Sequence, residues 1–127
     1  MRTILTGQVL WSYDHEVMNR NLLDNIGAQI SGVKPFHRHS GEIILSEDKL
    51  YIFGDEALEI SLASLDNIYL GFDEIFPPLL VKNAGLFWQP LRLKLLSGQQ
   101  LYLIIDFNMF GSKNQLWFDG LEEILSN

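Results

Sequence analysis

The chain has 127 residues, 47% of them hydrophobic, with no cysteine and a net charge of −7 from 16 acidic and 9 basic side chains. That length suits a single domain spanning residues 1–127 with one core, and the absence of cysteine excludes disulfides and thiolate metal sites and fits a reducing, cytoplasmic setting. An acidic surface repels phosphate backbones, which argues against nucleic acid as a partner, and no apolar run approaches the ~18–20 residues that a membrane-spanning helix needs.

The opening residues MRTILTGQVLW contain only a broken apolar run and do not read as a signal peptide. Strand-type residues fill 3–13, and a first strand is expected from about Gln8, running on toward Val17, with Val9, Trp11 and Tyr13 on one face at period 2. Residues 14–25 are ambiguous between a helical turn and a loop anchored by Leu22, Leu23 and Ile26. The stretch 25–40, rich in Gly and Ser and holding Pro35, reads as a long loop.

The next 32 residues of interest, 41–72, are dense in strand signals. An apolar run at 41–46 is followed by the polar pair Glu47-Asp48 and a second apolar run at 49–53. Gly54-Asp55-Glu56 then turns the chain, and 58–62 alternates strictly between apolar and polar. Ser64-Leu65-Asp66 reads as a corner before a strand at 68–72. Spacings this short allow only antiparallel pairing, because a parallel crossover needs a dozen or more residues, so the region is expected to be a β-meander.

Pro77-Pro78 ends any strand. The segment around it is too apolar for an idle loop. Leu91, Leu93 and Leu95 alternate with Arg92 and Lys94, Ser97-Gly98-Gln99 makes a tight turn, and Leu101, Leu103 and Ile105 alternate with Tyr102 and Ile104. This is a hairpin with one face buried and the other mixed. The last element is a helix over 112–126, with Ser112 as N-cap, Gln115 completing a capping box, and an apolar stripe of Leu116, Trp117, Leu121, Ile124 and Leu125. Gly120 costs it about 1 kcal/mol relative to Ala, and a small residue there lets the helix sit close to a sheet.

About seven antiparallel strands followed by one amphipathic helix resemble the plan of the pleckstrin-homology (PH) superfold, and the residues are similar to its GRAM-like and bacterial PH-like branch. Gly7-Gln8-Val9-Leu10-Trp11 resembles that branch's opening strand, and 41–53 resembles its G-x-L-x-L-T-x-x-R-L-x-F hairpin, with Ser46 in place of Thr and Lys49 in place of Arg. Residues 58–68 resemble the following I-P-L-x-x-I-x-x-V strand, with Ser61 in place of Pro, and Trp117 and Leu121 stand where the helix Trp and Leu do. The resemblance implies an all-β fold with one C-terminal helix, a partly open barrel capped by 112–126. It also implies a binding module whose relatives take lipids, phosphopeptides or proteins.

Three stretches compete as the site. Lys34, His37, Arg38 and His39 form a small cationic patch suited to a phosphate head group or an acidic peptide. Phosphoinositide-binding PH domains carry their basic residues on the first hairpin, whereas here no Lys or Arg lies between Arg2 and Arg20, so that site does not carry over. His37 and His39, with His15, are the nearest approach to a zinc set, but their spacing matches no metal motif. No nucleophile–base motif and no Gly-rich phosphate loop is present, and the acids sit at turns, so no enzyme and no cofactor is expected. The apolar segment with Phe76, Leu79, Leu80, Phe87 and Trp88 is either folded core or a contact surface, and an open barrel also offers a free edge for strand addition. The expected function is therefore protein interaction or self-association by a non-enzymatic module. The alternative is peripheral membrane attachment through a lipid head group.

Overall fold

The computed structural model of the protein describes residues 2–19, 37–76, 89–108 and 111–126. The elements run β1 (Thr3–Tyr13), α1 (Asp14–Met18), β2 (His39–Ser46), β3 (Lys49–Gly54), β4 (Leu58–Ser61), a 3-10 turn (Leu62–Ser64), β5 (Leu65–Leu70), β6 (Leu91–Leu95), β7 (Gln100–Ile105) and α2 (Asn114–Leu125). The strands form one seven-stranded sheet in the order β4-β3-β2-β1-β7-β6-β5, with every pairing antiparallel. It curls into a half-barrel whose two edges, β4 and β5, pair with no further strand among the described residues, and α2 closes one end.

β1 starts at Thr3 and ends at Tyr13, earlier at both ends than the expected 8–17. The chain turns into α1 because Glu16 reaches back to accept the Tyr13 N–H at 2.9 Å, and the acids Asp14 and Glu16 suit a helix start. Val9 and Trp11 face the core, as period 2 requires, while Leu10 and Ser12 on the opposite face are buried too. The Leu22, Leu23 and Ile26 anchor and most of the 25–40 loop lie outside the described residues.

The β2–β3 hairpin closes through Ser46, whose Oγ accepts the Lys49 N–H at 3.0 Å. At its far end Gly41 faces Gly54, and a Cβ on Gly41 would lie 2.0 Å from Phe53 O. The strands can approach this closely only where both residues lack a side chain.

The expected four-strand meander is corrected. Only β2, β3 and β4 are successive neighbours, and β5 pairs with β6 instead. The cause is the 3-10 turn at Leu62–Ser64, which redirects the chain across the open end. Ser64 Oγ donates to Ser61 O at 2.6 Å, and Ser64 O accepts the Leu96 N–H at 2.8 Å, so the strand resumes at Leu65 against β6 rather than at Ile68 against β4.

The β6–β7 hairpin forms as expected, with Leu91 opposite Leu103 and Leu93 opposite Leu101 and Gly98 at φ 95° in its turn. Its second face is mixed, as expected, with Arg92 opposite Tyr102 and Lys94 opposite Gln100, but on β7 it is also covered. Tyr102 and Ile104 are buried in a second cluster with Val17 and Phe76, flanked by Phe72, Ile75 and Phe107. α1 and the 72–76 stretch thus cover the outer face of β7.

α2 starts two residues later than expected, and the Ser112–Gln115 capping box does not form. Lys113 occupies the N-cap without a side-chain cap bond, and Gln115 donates forward to Asp119 at 2.9 Å. The helix start is set by Asn114, which is buried against the sheet. Its Oδ1 accepts the Ile105 N–H at 2.8 Å, and its Nδ2 donates to Leu103 O at 2.9 Å and to Gln89 O. The amide bridges β7 to the residues before β6 where the ladder between those strands stops. The apolar stripe is also narrower than expected. Trp117 and Leu121 are buried and Ile124 packs at their margin, but Leu116 and Leu125 are largely exposed. A Cβ on Gly120 would lie 3.2 Å from Leu5 Cδ1, so the small residue does admit β1 close to the helix.

Candidate functional site

The 34–39 stretch does not assemble as a free cationic patch within the described residues, and Lys34 lies outside them. Arg38 is exposed and anchored by its backbone, its N–H donating to Trp11 O at 3.2 Å and to Ser12 Oγ at 2.9 Å. His37 is half-buried just before it. His39 stacks on Trp11 with ring centroids 4.4 Å apart. Its Nδ1 lies 2.7 Å from Asp55 Oδ2 and 3.5 Å from Glu56 Oε2, and its Nε2 lies 2.7 Å from Glu16 Oε2. Only the imidazolium supplies a proton on both nitrogens. Burial pulls the His39 pKa down, but hydrogen bonds to Asp55 and Glu16 and the charges of both carboxylates outweigh it and raise it above the ordinary 6.5. The His39 bond in turn is the main reason the Asp55 carboxyl is held below its ordinary 3.8. His39 is thus a clasp joining α1, β2 and the β3–β4 turn. Its nitrogens are committed to carboxylates rather than to a phosphate.

His15 stacks on Tyr13, at 5.3 Å and 14° between planes. Among the described residues no three His, Asp or Glu side chains gather as a metal-ligand set.

Of the apolar candidates, Leu79, Leu80, Phe87 and Trp88 lie outside the described residues. Phe76 is 1% exposed and stacks on Tyr102 at 5.4 Å, so its ring is core and not a contact surface. Asp73 fixes it there. Its Oδ1 accepts the Phe76 N–H at 2.7 Å, and its Oδ2 accepts the Tyr102 hydroxyl at 2.8 Å and Arg92 Nη1 at 3.2 Å. Arg92 also lies over the Tyr69 ring at 4.5 Å and donates to Gly71 O. Burial, then the bond to Asp73, drives the Tyr102 phenol pKa upward. This guanidinium is enclosed by its own fold.

The open edge of β5 is different. The Gly71 N–H donates to Pro90 O at 3.0 Å. That contact sets the phase of the β5–β6 ladder, because hydrogen-bonded and non-hydrogen-bonded pairs alternate between antiparallel strands. Tyr69, two residues back, therefore bonds toward β6, and Ile68 and Leu70 turn their N–H and C=O groups toward the open edge. Beside that edge, α2 and β5 enclose a groove of about 440 Å³ lined by Leu65, Asp66, Asn67, Ile68, Glu122, Leu125 and Ser126. Leu125 brings an apolar side chain that is 40% exposed. Asn67 Oδ1 accepts the Ile68 N–H at 2.8 Å and so occupies one of the edge donors with a side chain.

The opposite edge is guarded. β4 has four residues, and Glu59 on it pairs with Lys49 at 2.7 Å. Short, charged edges resist strand addition. A second cavity, of about 480 Å³, lies on the outer face among Gln8, Leu10, Ser40, Ile104, Asp106 and Phe107. Its acid, Asp106, already accepts the Gln8 N–H at 2.8 Å and faces Lys113 at 3.9 Å.

No protein-family model and no curated protein matches the sequence. Among solved structures the chain is similar to the Vps36 N-terminal PH domain, with a TM-score of 0.55 at 15% identity, over 99% of this chain and 80% of that one. Among the described residues no helix is long and apolar enough to cross a membrane. The PH fold is a binding-module fold that hosts protein and lipid ligands alike. Seven antiparallel strands curled around a terminal helix, together with that likeness, give this chain the pleckstrin-homology fold.

Proposed function

We infer that the protein is a non-enzymatic interaction module that takes an extended segment of a partner protein as an added strand on β5. The observation that carries this reading is the pairing of a main-chain edge, at Leu70 and at an Ile68 whose N–H is held only by the Asn67 side chain, with a groove walled by α2. Main-chain bonds to the edge supply affinity, and the groove takes the side chains of alternate residues. The lipid-head-group reading has less support. The ring nitrogens of His39 are held by Glu16 and Asp55, and the carboxylates around that corner repel a phosphate.

The test is amide hydrogen exchange of the full chain with a panel of eight-residue peptides that alternate Val with Thr, Lys or Glu. Slower exchange at Leu70 with any member supports strand addition. Protection confined to other strands, or none at all, overturns it. Vesicle co-sedimentation runs beside it, and pelleting that depends on phosphoinositide and is lost in Arg38→Glu would put the membrane reading first.

A further inference from the structure

The β5 edge, if it takes a strand as inferred above, also specifies what that strand carries. Two carboxylates, Asp66 and Glu122, sit among the described residues lining the groove, and among those residues no Lys or Arg does. Lys94 approaches Asp66 only to 3.9 Å, with the Lys94 side chain 41% exposed and that of Asp66 50% exposed, so the pair is loose and weak. The remaining lining is apolar at Leu65, Ile68 and Leu125 and small and polar at Asn67 and Ser126. Ile68 is buried toward the core, whereas Asp66 and Asn67 are exposed on the other side of the strand.

We propose that the partner is a cationic extended peptide in which apolar residues alternate with Lys or Arg. Successive side chains of an added strand point to opposite faces. One set therefore meets Ile68, Leu65 and Leu125, and the other projects outward beside Asp66. Glu122, on the α2 side of the same groove, adds a second acid.

The same charges decide against two other occupants. A second copy of this chain would bring its own Asp66 and Glu122 into one crevice between two molecules of net charge −7, and like charges facing each other across paired strands are destabilising. A phosphorylated peptide adds a group of about −2 charge to the same carboxylates. A basic segment gains from both the local acids and the long-range field of the whole molecule.

The experiment compares fluorescence anisotropy of the Val/Lys, Val/Thr and Val/Glu peptides on the intact chain, with Leu70 amide exchange read in parallel. The expected result is Val/Lys binding at least about tenfold tighter than Val/Thr, weakening as salt is raised, and no Val/Glu binding. Asp66→Lys combined with Glu122→Lys is expected to abolish the preference or reverse it. Glu42→Lys combined with Glu47→Lys changes the net charge equally at exposed positions on β2 and its turn, and is expected to leave the preference intact.

If that control variant loses the preference to the same extent, the attraction is general and the proposal is overturned. Equal binding of all three peptides with Leu70 protected would overturn the cationic partner while leaving strand addition standing. Absence of Leu70 protection with every peptide would overturn both. Thermal melts matching the parent confirm that the exposed substitutions leave the fold in place.

Discussion

His39 is held by Asp55, Glu16 and Glu56, and its clasp makes stability depend on pH. Because its folded pKa is raised above 6.5, the clasp contributes fully below the ordinary imidazole value and is lost as pH rises through the folded one. Asp55, held below 3.8, acts in the opposite sense, and its contribution fades as pH falls through its lowered value. The clasp is therefore strongest between the two. Melting curves of the parent and of His39→Gln are expected to differ most between the ordinary carboxylate range and the ordinary imidazole value of 6.5, and to converge as pH rises through the raised His39 value. A gap that stays constant with pH would show that His39 acts by packing on Trp11 alone. Asn114 is the second residue with an outsized role. Asn114→Ala leaves the Ile105 N–H without its acceptor in a buried position, and a loss of about 1–3 kcal/mol is expected in denaturant unfolding. Neither role is legible from local sequence. His39 draws on Glu16 and Asp55, 23 and 16 residues away in opposite directions, and Asn114 looks like an ordinary helix-start residue until β7 is placed beside it.

At the scale of elements, periodic patterning was a sound guide wherever one face alone is buried. The β2–β3 hairpin and the existence of α2 follow from alternation, turn residues and three-to-four spacing, and the β6–β7 hairpin, whose β7 is buried on both faces, is marked by its turn at Gly98. Trp117 is 1% exposed and Leu116 is 51% exposed on adjacent positions of α2. Trp117→Ala is accordingly expected to cost about 3–5 kcal/mol, and Leu116→Ala to stay within about 0.5 kcal/mol. A Trp117→Ala variant as stable as the parent would mean that α2 does not plug the barrel. Patterning fails where tertiary contacts decide. The Leu62–Ser64 corner contains neither Gly nor Pro, so nothing in it announces that the chain leaves β4 for the far edge. The expected helix cap at Ser112 obeys local chemistry, but burial of Asn114 sets the actual start. The groove beside β5 could not be read from sequence at all, because residues 65–68 and 122–126 meet only once the corner and the helix are both in place.

At the scale of the whole molecule, the sheet treats its two edges differently. β4 is short and carries a close ion pair at 2.7 Å, whereas β5 has the looser Lys94–Asp66 pair at 3.9 Å and the bond from the Ile68 N–H to the Asn67 side chain. Removing that acceptor in Asn67→Ala is expected to tighten binding of the Val/Lys peptide, since no side-chain bond must then be broken, by about 0.5–1.5 kcal/mol. Light scattering of the same variant is expected to show self-association only at high salt, where the repulsion of net charge −7 is screened. Equal peptide affinity for variant and parent would show that Asn67 does not guard the edge.

The strand order has a kinetic consequence as well. β1 lies between β2 and β7, so Val9 must find Ile105 after almost all the intervening chain has been made. Three strands on one side and three on the other can form as local hairpins, but neither half buries its inner face until β1 is stitched to both. Loop-closure entropy on that scale slows folding into the range of milliseconds to seconds. During synthesis on the ribosome, one side of β1 stays unsatisfied until β7 emerges, which makes this earliest strand the last to be fully enclosed.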